Sequence, residues 1–296
     1  MRAPEVSVVI AAKNEGDNLA DMIFCLFETE SSIPFEIVLV DDGSSDGSGE
    51  RAVQRFGGRP DFRRLRTSGN GVAAARNRGA EIARGEMLVF LDGHCWCPPG
   101  WMERLVQPLA DPGVGLAGPA FTDLVKDDVG IGCGVYWPKP DLRMQWLTRQ
   151  ADRSYAVPLM PGGCDAIRRE LFVELGGYDA GMGRWGSEGE ELSLRVWSSG
   201  REVRVAPDCL IRHLFRSRHP YPVDAIEVLH NRLRMATVHF PDSQLDSVLN
   251  YNRDEPGYAE ALAKIRNGDA MVRRAARSAV DEHNVESWCA LFLSDW

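Results

Sequence analysis

An acidic residue and a histidine stand two positions apart where an apolar segment of the chain ends. Asp92 and His94 follow the run 87–91, and residues two apart on an extended segment point to the same face. The two side chains could therefore share one divalent cation, and a carboxylate with an imidazole suits Mn²⁺, Mg²⁺ or Zn²⁺. His213, far along the chain, is available as a third ligand. The alternative interpretation is a strand-end turn with histidines that serve only the structure.

Several basic residues could bind phosphate groups near such a metal. Gly71 precedes a predicted helix that carries Arg76 and Arg78, and a helix start with a nearby arginine can hold an anion. The segment 207–222 adds positive charge beside His213 through Arg212, Arg216, Arg218 and His219. This combination fits a metal-bridged diphosphate, and the alternative is a solvated loop. Neither a P-loop nor a G-x-G-x-x-G motif follows the first apolar run.

The elements that must position these residues are clearest in the N-terminal third of the chain. We predict strands over residues 6–11, 35–40 and 87–91, and helices over 17–27, 49–56 and 73–83. Strands that alternate with helices form a parallel sheet, which binds ligands beyond the carboxyl ends of its strands. Asp41, Asp42 and Asp92 fall at those ends. The predicted fold class is α/β, with a mostly parallel central sheet flanked by helices.

The rest of the chain has weaker patterns. Residues 112–165, rich in glycine, proline and aromatic residues, predict mixed strands and long loops, and the stretch 207–222 has little periodicity. Helices are predicted over 168–175, over 188–199 and through most of the chain after Val223. We expect one domain over residues 1–240 and a helical C-terminal extension, 241–296, packed on it.

The composition excludes several classes of protein. With 296 residues, 44% of them apolar and 26% charged, the chain is not disordered, collagen-like or a small disulfide scaffold. The net charge of −9 argues against a nucleic-acid partner. Seven scattered cysteines do not form a disulfide framework, and no stretch approaches the ~18 apolar residues of a membrane span. The N-terminus lacks a signal-peptide pattern, so we expect a soluble, cytoplasmic protein without a transmembrane segment.

Four blocks of the sequence follow one another in an order that is typical of one enzyme family. They are LDGHCWC at 91–97, MPGG at 160–163 with LGGYD at 175–179, WGSEGEELSLRVW at 185–197, and HLFRSRHPY at 213–221. Together with NGVAAARNRG at 70–79, they resemble the family-2 glycosyltransferases of the GT-A fold. The match is closer to the catalytic domain of the polypeptide N-acetylgalactosaminyltransferases. The resemblance covers roughly residues 5–240, and the order of its blocks makes it specific.

The resemblance implies a role for each matching residue. Asp92, His94 and His213 would hold the catalytic metal, usually Mn²⁺ and alternatively Mg²⁺, which bridges the diphosphate of the donor. The implied catalytic residues are Glu188, Arg216, Trp185 and Glu191. The implied donor-binding residues are Ala11, Asp41, Asp42, Gly71, Arg76, Gly93, Gly162, Gly163, His219 and Tyr221. Within these sets, Arg216, His219 and Tyr221 would belong to a loop that closes over the UDP and excludes water.

The implied reaction transfers a sugar from a UDP-sugar to an acceptor hydroxyl. The donor would be UDP-GalNAc, UDP-GlcNAc, UDP-Glc or UDP-Gal, and the acceptor a Ser or Thr in a peptide, a glycan or a small metabolite. Inverting family-2 enzymes usually carry an acidic pair in the third block, whose second member is the general base. Here Gly189 follows Glu188, so we predict retention of the anomeric configuration, with Glu190 or Glu191 as the base if the enzyme inverts.

Other interpretations remain open. A nucleotidyltransferase uses a related fold, but it usually needs a glycine-rich basic loop where this chain has 11–16. A non-catalytic sugar-nucleotide binding subunit is a further alternative. Cys95 and Cys97 could be half of a zinc site, but we predict packing because no second C-x-C or C-x-x-C exists. Three tryptophans could either form a sugar platform or pack in the core, namely Trp137, Trp146 and Trp185.

Overall fold

The computed structural model describes residues 3–126, 128–277 and 279–293, without the side chains of residues 279 and 280. Its strands are β1 Val6–Ala12, β2 Phe35–Asp41, β3 Phe62–Arg66, β4 Met87–Asp92, β5 Cys95–Trp96, β6 Val114–Asp123, β7 Val135–Tyr136, β8 Gln145–Trp146, β9 Tyr155–Ala156, β10 Cys164–Arg168 and β11 Glu202–His213. Its helices are α1 Asn18–Glu28, α2 Ser48–Phe56, α3 Val72–Ile82, α4 Trp101–Val106, α5 Arg169–Glu174, α6 Glu188–Ser198, α7 Ala225–His239, α8 Asp242–Tyr251, α9 Tyr258–Asn267, α10 Ala270–Ala275 and α11 Ala279–Phe292. A 3₁₀ turn, Gln107–Ala110, follows α4.

The central sheet has the strand order β3-β2-β1-β4-β10-β6-β11-β5, and β9 pairs with β11. Strands β1 to β4, β6 and β11 run in one direction, whereas β10 is antiparallel to both of its neighbours. Strands β7 and β8 form a separate two-stranded sheet. The predicted α/β class, with a mostly parallel sheet flanked by helices and a helical C-terminal part, is confirmed.

Register brings the carboxyl ends of three strands to the same edge of the sheet. Ala12 at the end of β1 pairs with Asp41 of β2, and Ala11 pairs with Asp92 at the end of β4. These strands are nearly continuous apolar runs because helices cover both faces of a parallel sheet. The predicted strands and helices of the N-terminal third all form, but β3 was missed. Its sequence, FRRLR, lacks the apolar run that marks the inner strands. An edge strand does not need such a run, and charged side chains are common there.

Strand β11 differs from the sequence prediction. The stretch from residue 207 has little periodicity, yet the strand continues to His213. An irregularity in its pairing with β6, between Ala206 and Leu210, shifts the register and hides the alternation that a regular strand would show. Cys209 within the irregularity and Ile211 beyond it are fully buried, and His213 pairs with Cys95 of β5. The irregular strand therefore delivers a histidine to the edge where β4 ends.

Two apolar cores stabilise the fold. The larger one lies between the sheet and its flanking helices. The second one joins α7 to the later helices and includes Trp137, Leu159 and Leu194 from earlier segments. The division at residue 240 stays a prediction. No helix in the described parts of the chain is long and apolar enough to cross a membrane.

The close packing of α3 on the sheet leads to a stability prediction. A Cβ atom at Gly79 would lie 2.3 Å from Cγ1 of Val9 and 3.0 Å from Cγ2 of Val40, both buried in the core. We expect Gly79→Val to lower the free energy of unfolding by about 1–3 kcal/mol, because an overpacked core must shift its backbone. Urea unfolding measures the change. Gly58→Val is the control, since a Cβ there meets nothing within 4 Å; equal losses in both variants would contradict the packing argument.

Candidate active site

Two side chains that are close in sequence meet a third from far along the chain at the ends of β4 and β11. Asp92, His94 and His213 offer one ligand atom each, and these atoms all lie within 4.8 Å of one another. Nε2 of His213 is 3.3 Å from Oδ2 of Asp92, and the two imidazole rings are 4.6 Å apart. One carboxylate and two imidazoles suit Mn²⁺ or Zn²⁺ better than Mg²⁺, which prefers oxygen ligands. The structure thus brings together the three ligands that the sequence predicted.

The orientation of His94 is set by an acid that the sequence analysis missed. Nδ1 of His94 lies 3.1 Å from Oε2 of Glu15, which leaves Nε2 available for a metal. Nη2 of Arg216 contacts the same carboxylate oxygen. Burial alone would raise the pKa of Glu15, but the hydrogen bonds and charges of His94 and Arg216 lower it below its ordinary value. The signal for Glu15 was its position just after β1, at the edge where ligands bind.

Arg76 lies beneath the metal ligands rather than in the open cleft. Its side chain is 1% exposed, and its guanidinium contacts Oδ1 of Asp92 at 2.8 Å, Oε1 of Glu188 at 3.3 Å and the carbonyl of Gly162. Burial would raise the pKa of Asp92, but His213 and Arg76 hold it well below its ordinary range. Arg76 therefore fixes the relative positions of two predicted site residues, whereas the sequence placed it along the nucleotide.

The two aspartates at the end of β2 have different surroundings. Asp41 is fully buried and is bound by Arg64 at 2.9 Å and Arg66 at 3.2 Å. Asp42 borders the cleft and accepts hydrogen bonds from Oγ1 of Thr67 at 2.5 Å and from the backbone N–H of Gly71 at 2.9 Å. Of the predicted pair, Asp42 is the carboxylate that a ligand could reach.

These residues surround a cleft of about 1000 Å³. Thirteen of the seventeen predicted site residues line it, namely Ala11, Asp42, Gly71, Asp92, His94, Gly162, Gly163, Trp185, Glu188, His213, Arg216, His219 and Tyr221. The other four do not, namely Asp41, Arg76, Gly93 and Glu191. Lining residues that the sequence did not assign include Lys13, Glu15, Leu142, Met144, Phe215 and Arg232. Most of the unassigned residues lie in loops or on α7, where no motif marks them.

The start of α6 brings two carboxylates to the floor of the cleft and excludes a third side chain. Glu188 accepts a hydrogen bond from the N–H of Gly186 at 3.0 Å. Gly189 packs on the backbone of Gly162, and a Cβ there would lie 2.5 Å from its nitrogen. Glu190 also lines the cleft, and burial together with the charge of Glu188 raises its pKa to about 7. No acidic side chain fits at position 189 without movement of the 161–162 backbone.

Aromatic side chains form one wall and the loop beside it. The rings of Trp146 and Phe215 are 5.8 Å apart, and Phe215 lies 4.5 Å from His213. On the loop, His219 packs against Trp185 at 4.5 Å and Tyr221 at 5.8 Å. The contact between His219 and Trp185 holds the predicted closing loop against the segment that precedes α6.

The remaining aromatic and cysteine candidates lie in the interior. Trp137 is 2% exposed and packs 5.8 Å from Trp288 in the second core, so only Trp146 and Trp185 of the three candidates face the cleft. Cys95 and Cys97 are buried, and burial raises the pKa of both thiols. Among the described residues no cysteine belongs to a group that could hold a metal. This geometry is consistent with the predicted packing role.

Glu191 lies on the face of α6 that is turned away from the cleft. It is fully buried, 2.6 Å from Nη2 of Arg195 and 2.9 Å from Nε2 of His239. Burial would raise its pKa, but Arg195 and His239 lower it to about 2. This geometry gives Glu191 a structural role, and it offers no support for the catalytic role that the sequence suggested.

We expect Glu191→Ala to lower the free energy of unfolding by about 3–5 kcal/mol, because it leaves the charge of Arg195 buried and uncompensated. Chemical denaturation measures the loss. The control is Glu174→Ala, which removes a surface ion pair with Arg201 at 3.5 Å and should cost under about 1 kcal/mol. A stable Glu191→Ala protein that has lost activity would instead support the catalytic role.

The metal cluster also yields a direct test. We expect His213→Ala to weaken Mn²⁺ binding at least ~10-fold with little change in thermal stability, because one of three ligands is removed. Isothermal titration with Mn²⁺ alone measures the affinity. His283→Ala, which changes an exposed histidine on α11, should bind Mn²⁺ as the unaltered protein does. Unchanged affinity in His213→Ala would exclude the three-ligand site.

Comparisons with known proteins bear on the family to which the chain belongs. The model of Glycosyl transferase family 2 matches residues 7–176, more than half of the chain, and that of the N-terminal domain of galactosyltransferase matches residues 143–220. Polypeptide N-acetylgalactosaminyltransferase 3 of Drosophila melanogaster is 33% identical over 81% of this chain and 40% of its own length. Polypeptide N-acetylgalactosaminyltransferase 6 of Mus musculus is 28% identical over 96% of this chain and 49% of its own. The chain spans about half the length of these curated relatives.

A solved structure supports the fold assignment. GalNAc-T7 with UDP, GalNAc and Mn²⁺ has a TM-score of 0.79 and 23% identity, over 99% of this chain and 58% of that one. This likeness confirms the GT-A fold that the ordered motifs predicted. Taken with the family match over residues 7–176, it shows that the chain belongs to glycosyltransferase family 2.

Proposed function

We propose that the protein is a metal-dependent glycosyltransferase that moves a sugar from a UDP-sugar to an acceptor hydroxyl. The observation that carries this proposal is the group of Asp92, His94 and His213, held within 4.8 Å at one end of a cleft of about 1000 Å³. The names of the curated relatives and the UDP, GalNAc and Mn²⁺ of GalNAc-T7 support it. They favour UDP-GalNAc among the four donors considered.

The metal ligands and one arginine face the place where the diphosphate would lie. Mn²⁺, or alternatively Mg²⁺, would act there as a Lewis acid that stabilises the negative charge of the departing UDP. Arg216 lines the same cleft and contacts Glu15, so its guanidinium can add positive charge beside the departing diphosphate. Pre-positioned charges of this kind lower the barrier because they need not reorganise during the reaction.

The donor would extend from the ends of β1 and β2 to the start of α6. Ala11, Asp42 and Gly71 line the nucleotide side of the cleft. Gly162 and Gly163 border the proposed sugar side, where Glu188 can accept a hydrogen bond from a sugar hydroxyl. The loop that carries His219 and Tyr221 packs against Trp185. In this position it would cover the donor and exclude water from the reaction.

We further propose that transfer retains the anomeric configuration. The contact of Gly189 with the backbone of Gly162 leaves no room for an acidic base at this position. Glu191 is held by Arg195 and His239 away from the cleft. Glu190 lines the cleft and is therefore the base that inversion would use, so an inverted product in the NMR spectrum would overturn retention. The acceptor is a peptide Ser or Thr, a glycan or a small metabolite. The cytoplasmic localisation stays a prediction, which fractionation of native cells would test.

The first experiment measures free UDP released from the four UDP-sugars, with Mn²⁺ and with EDTA. We expect release from one donor that stops when EDTA removes the metal, because water can replace the acceptor. Pyrophosphate formed from UTP and a sugar phosphate would identify a nucleotidyltransferase instead. No release and no thermal stabilisation by UDP with Mn²⁺ would exclude the proposed donor class.

A variant pair on one loop tests the role of Arg216. We expect Arg216→Met to lower the rate of metal-dependent UDP release ~10- to 1000-fold, because a cation beside the leaving diphosphate is lost. Arg218→Met changes an exposed arginine two residues away that does not line the cleft, and should stay within about twofold of the unaltered rate. Equal rates in the two variants would remove Arg216 from the mechanism.

A further inference from the structure

Two charged side chains outside the predicted site reach the cleft from neighbouring helices. Glu190 belongs to α6 and Arg232 to α7, and both line the cleft. Glu190 is 8% exposed and Arg232 is 9% exposed, so each is more than nine-tenths buried. Charged residues are almost never buried to this extent unless they are paired.

Both side chains nevertheless lack protein partners for part of their polar surface. Nη1 of Arg232 donates to the carbonyl of Asp141 at 2.6 Å, but its buried Nε has no partner. The carboxylate of Glu190 has its own backbone N–H as its hydrogen-bond partner and forms no ion pair with another described residue. An unpartnered buried polar atom costs about 1–3 kcal/mol. A ligand that bonded to both side chains would remove that cost.

The position of this pair follows from a series of contacts that starts at the metal ligands. Arg76 binds both Asp92 and Glu188, so Glu188 is the first carboxylate next to the metal site. Glu190 follows Glu188 by two residues on α6, and both line the cleft together with Arg232. The pair therefore lies beside Glu188, on the side of the cleft where we place the sugar.

The chemistry of the pair favours an uncharged polar ligand. Arg232 would repel a cation and Glu190 an anion, so neither a phosphate nor an ammonium group suits the space between them. A hydroxyl suits it, because its oxygen accepts from the guanidinium and its hydrogen is donated to the carboxyl group. Burial and the charge of Glu188 raise the pKa of Glu190 to about 7. Its carboxyl group is therefore partly protonated near neutral pH and does not require a cationic ligand.

We propose that Glu190 and Arg232 form a subsite for a hydroxyl of the transferred sugar and thereby select among UDP-hexoses. This proposal rests on the proposed function, since it assumes that the cleft binds a UDP-sugar. A site that hydrogen-bonds a hydroxyl discriminates against a sugar whose hydroxyl points elsewhere, because its buried polar groups are then left unpaired.

Isothermal titration in the presence of Mn²⁺ tests the subsite. The ligands are UDP, UDP-Glc, UDP-Gal, UDP-GlcNAc and UDP-GalNAc, and the variants are Glu190→Leu and Arg232→Met. We expect each variant to bind UDP within about twofold of the unaltered protein. We expect its affinity for the preferred UDP-sugar to fall ~10-fold or more, with a smaller spread among the four sugars.

The matched controls are Arg204→Met and Glu202→Leu, which change an ion pair of 2.6 Å between two residues of β11 that do not line the cleft. Their side chains are more exposed, so the ratio of UDP-sugar to UDP affinity should not change. Thermal unfolding shows whether each variant folds. If Glu190→Leu fails to fold, Glu190→Gln replaces it, and if Arg232→Met fails to fold, Arg232→Lys replaces it.

Two results would overturn the subsite. One is a folded variant whose affinities for UDP and for UDP-sugars fall equally, which would show a general effect on the cleft. The other is a folded variant that binds every UDP-sugar as the unaltered protein does. If the unaltered protein binds neither UDP nor any UDP-sugar, the proposed function itself fails, and this outcome is distinct from the other two.

Discussion

The buried guanidinium of Arg76 connects the two halves of the candidate site. It bonds to Asp92 from β4, to Glu188 from α6 and to the carbonyl of Gly162 before β10. A buried cation is stable only when several partners compensate for its lost hydration. The metal-ligand end of the cleft and its carboxylate end are therefore held at a fixed separation by one side chain that a ligand in the cleft does not reach.

The sheet supplies the other constraint. Register sets the ends of β1, β2 and β4 side by side, and the irregular strand β11 adds His213 from the far side of β10 and β6. Each ligand of the proposed metal thus comes from a strand or turn whose backbone is fixed by hydrogen bonds. By contrast, the loop with His219 packs through its side chains on Trp185 and Tyr221, which suits a part of the site that must admit and release ligands.

The start of α6 shows how one close contact changes the chemistry available to a site. Gly189 lies against Gly162, so this turn carries carboxylates at positions 188 and 190 and no side chain between them. Glu188 is held by Arg76, whereas Glu190 forms no ion pair with another described residue. The two acids therefore differ in their bonding: one is compensated by a protein cation, and the other has polar capacity left for a ligand.

The sequence by itself determined the α/β alternation, the three metal ligands and most of the cleft lining, because these depend on local periodicity and on ordered motifs. Only the tertiary structure decided that Asp42, and not Asp41, borders the cleft, since Arg64 and Arg66 of the edge strand bind Asp41. It also decided that Arg76 and Glu191 are buried in ion pairs. Those outcomes depend on which distant side chains come within hydrogen-bond reach, and spacing along the chain carries no record of such contacts.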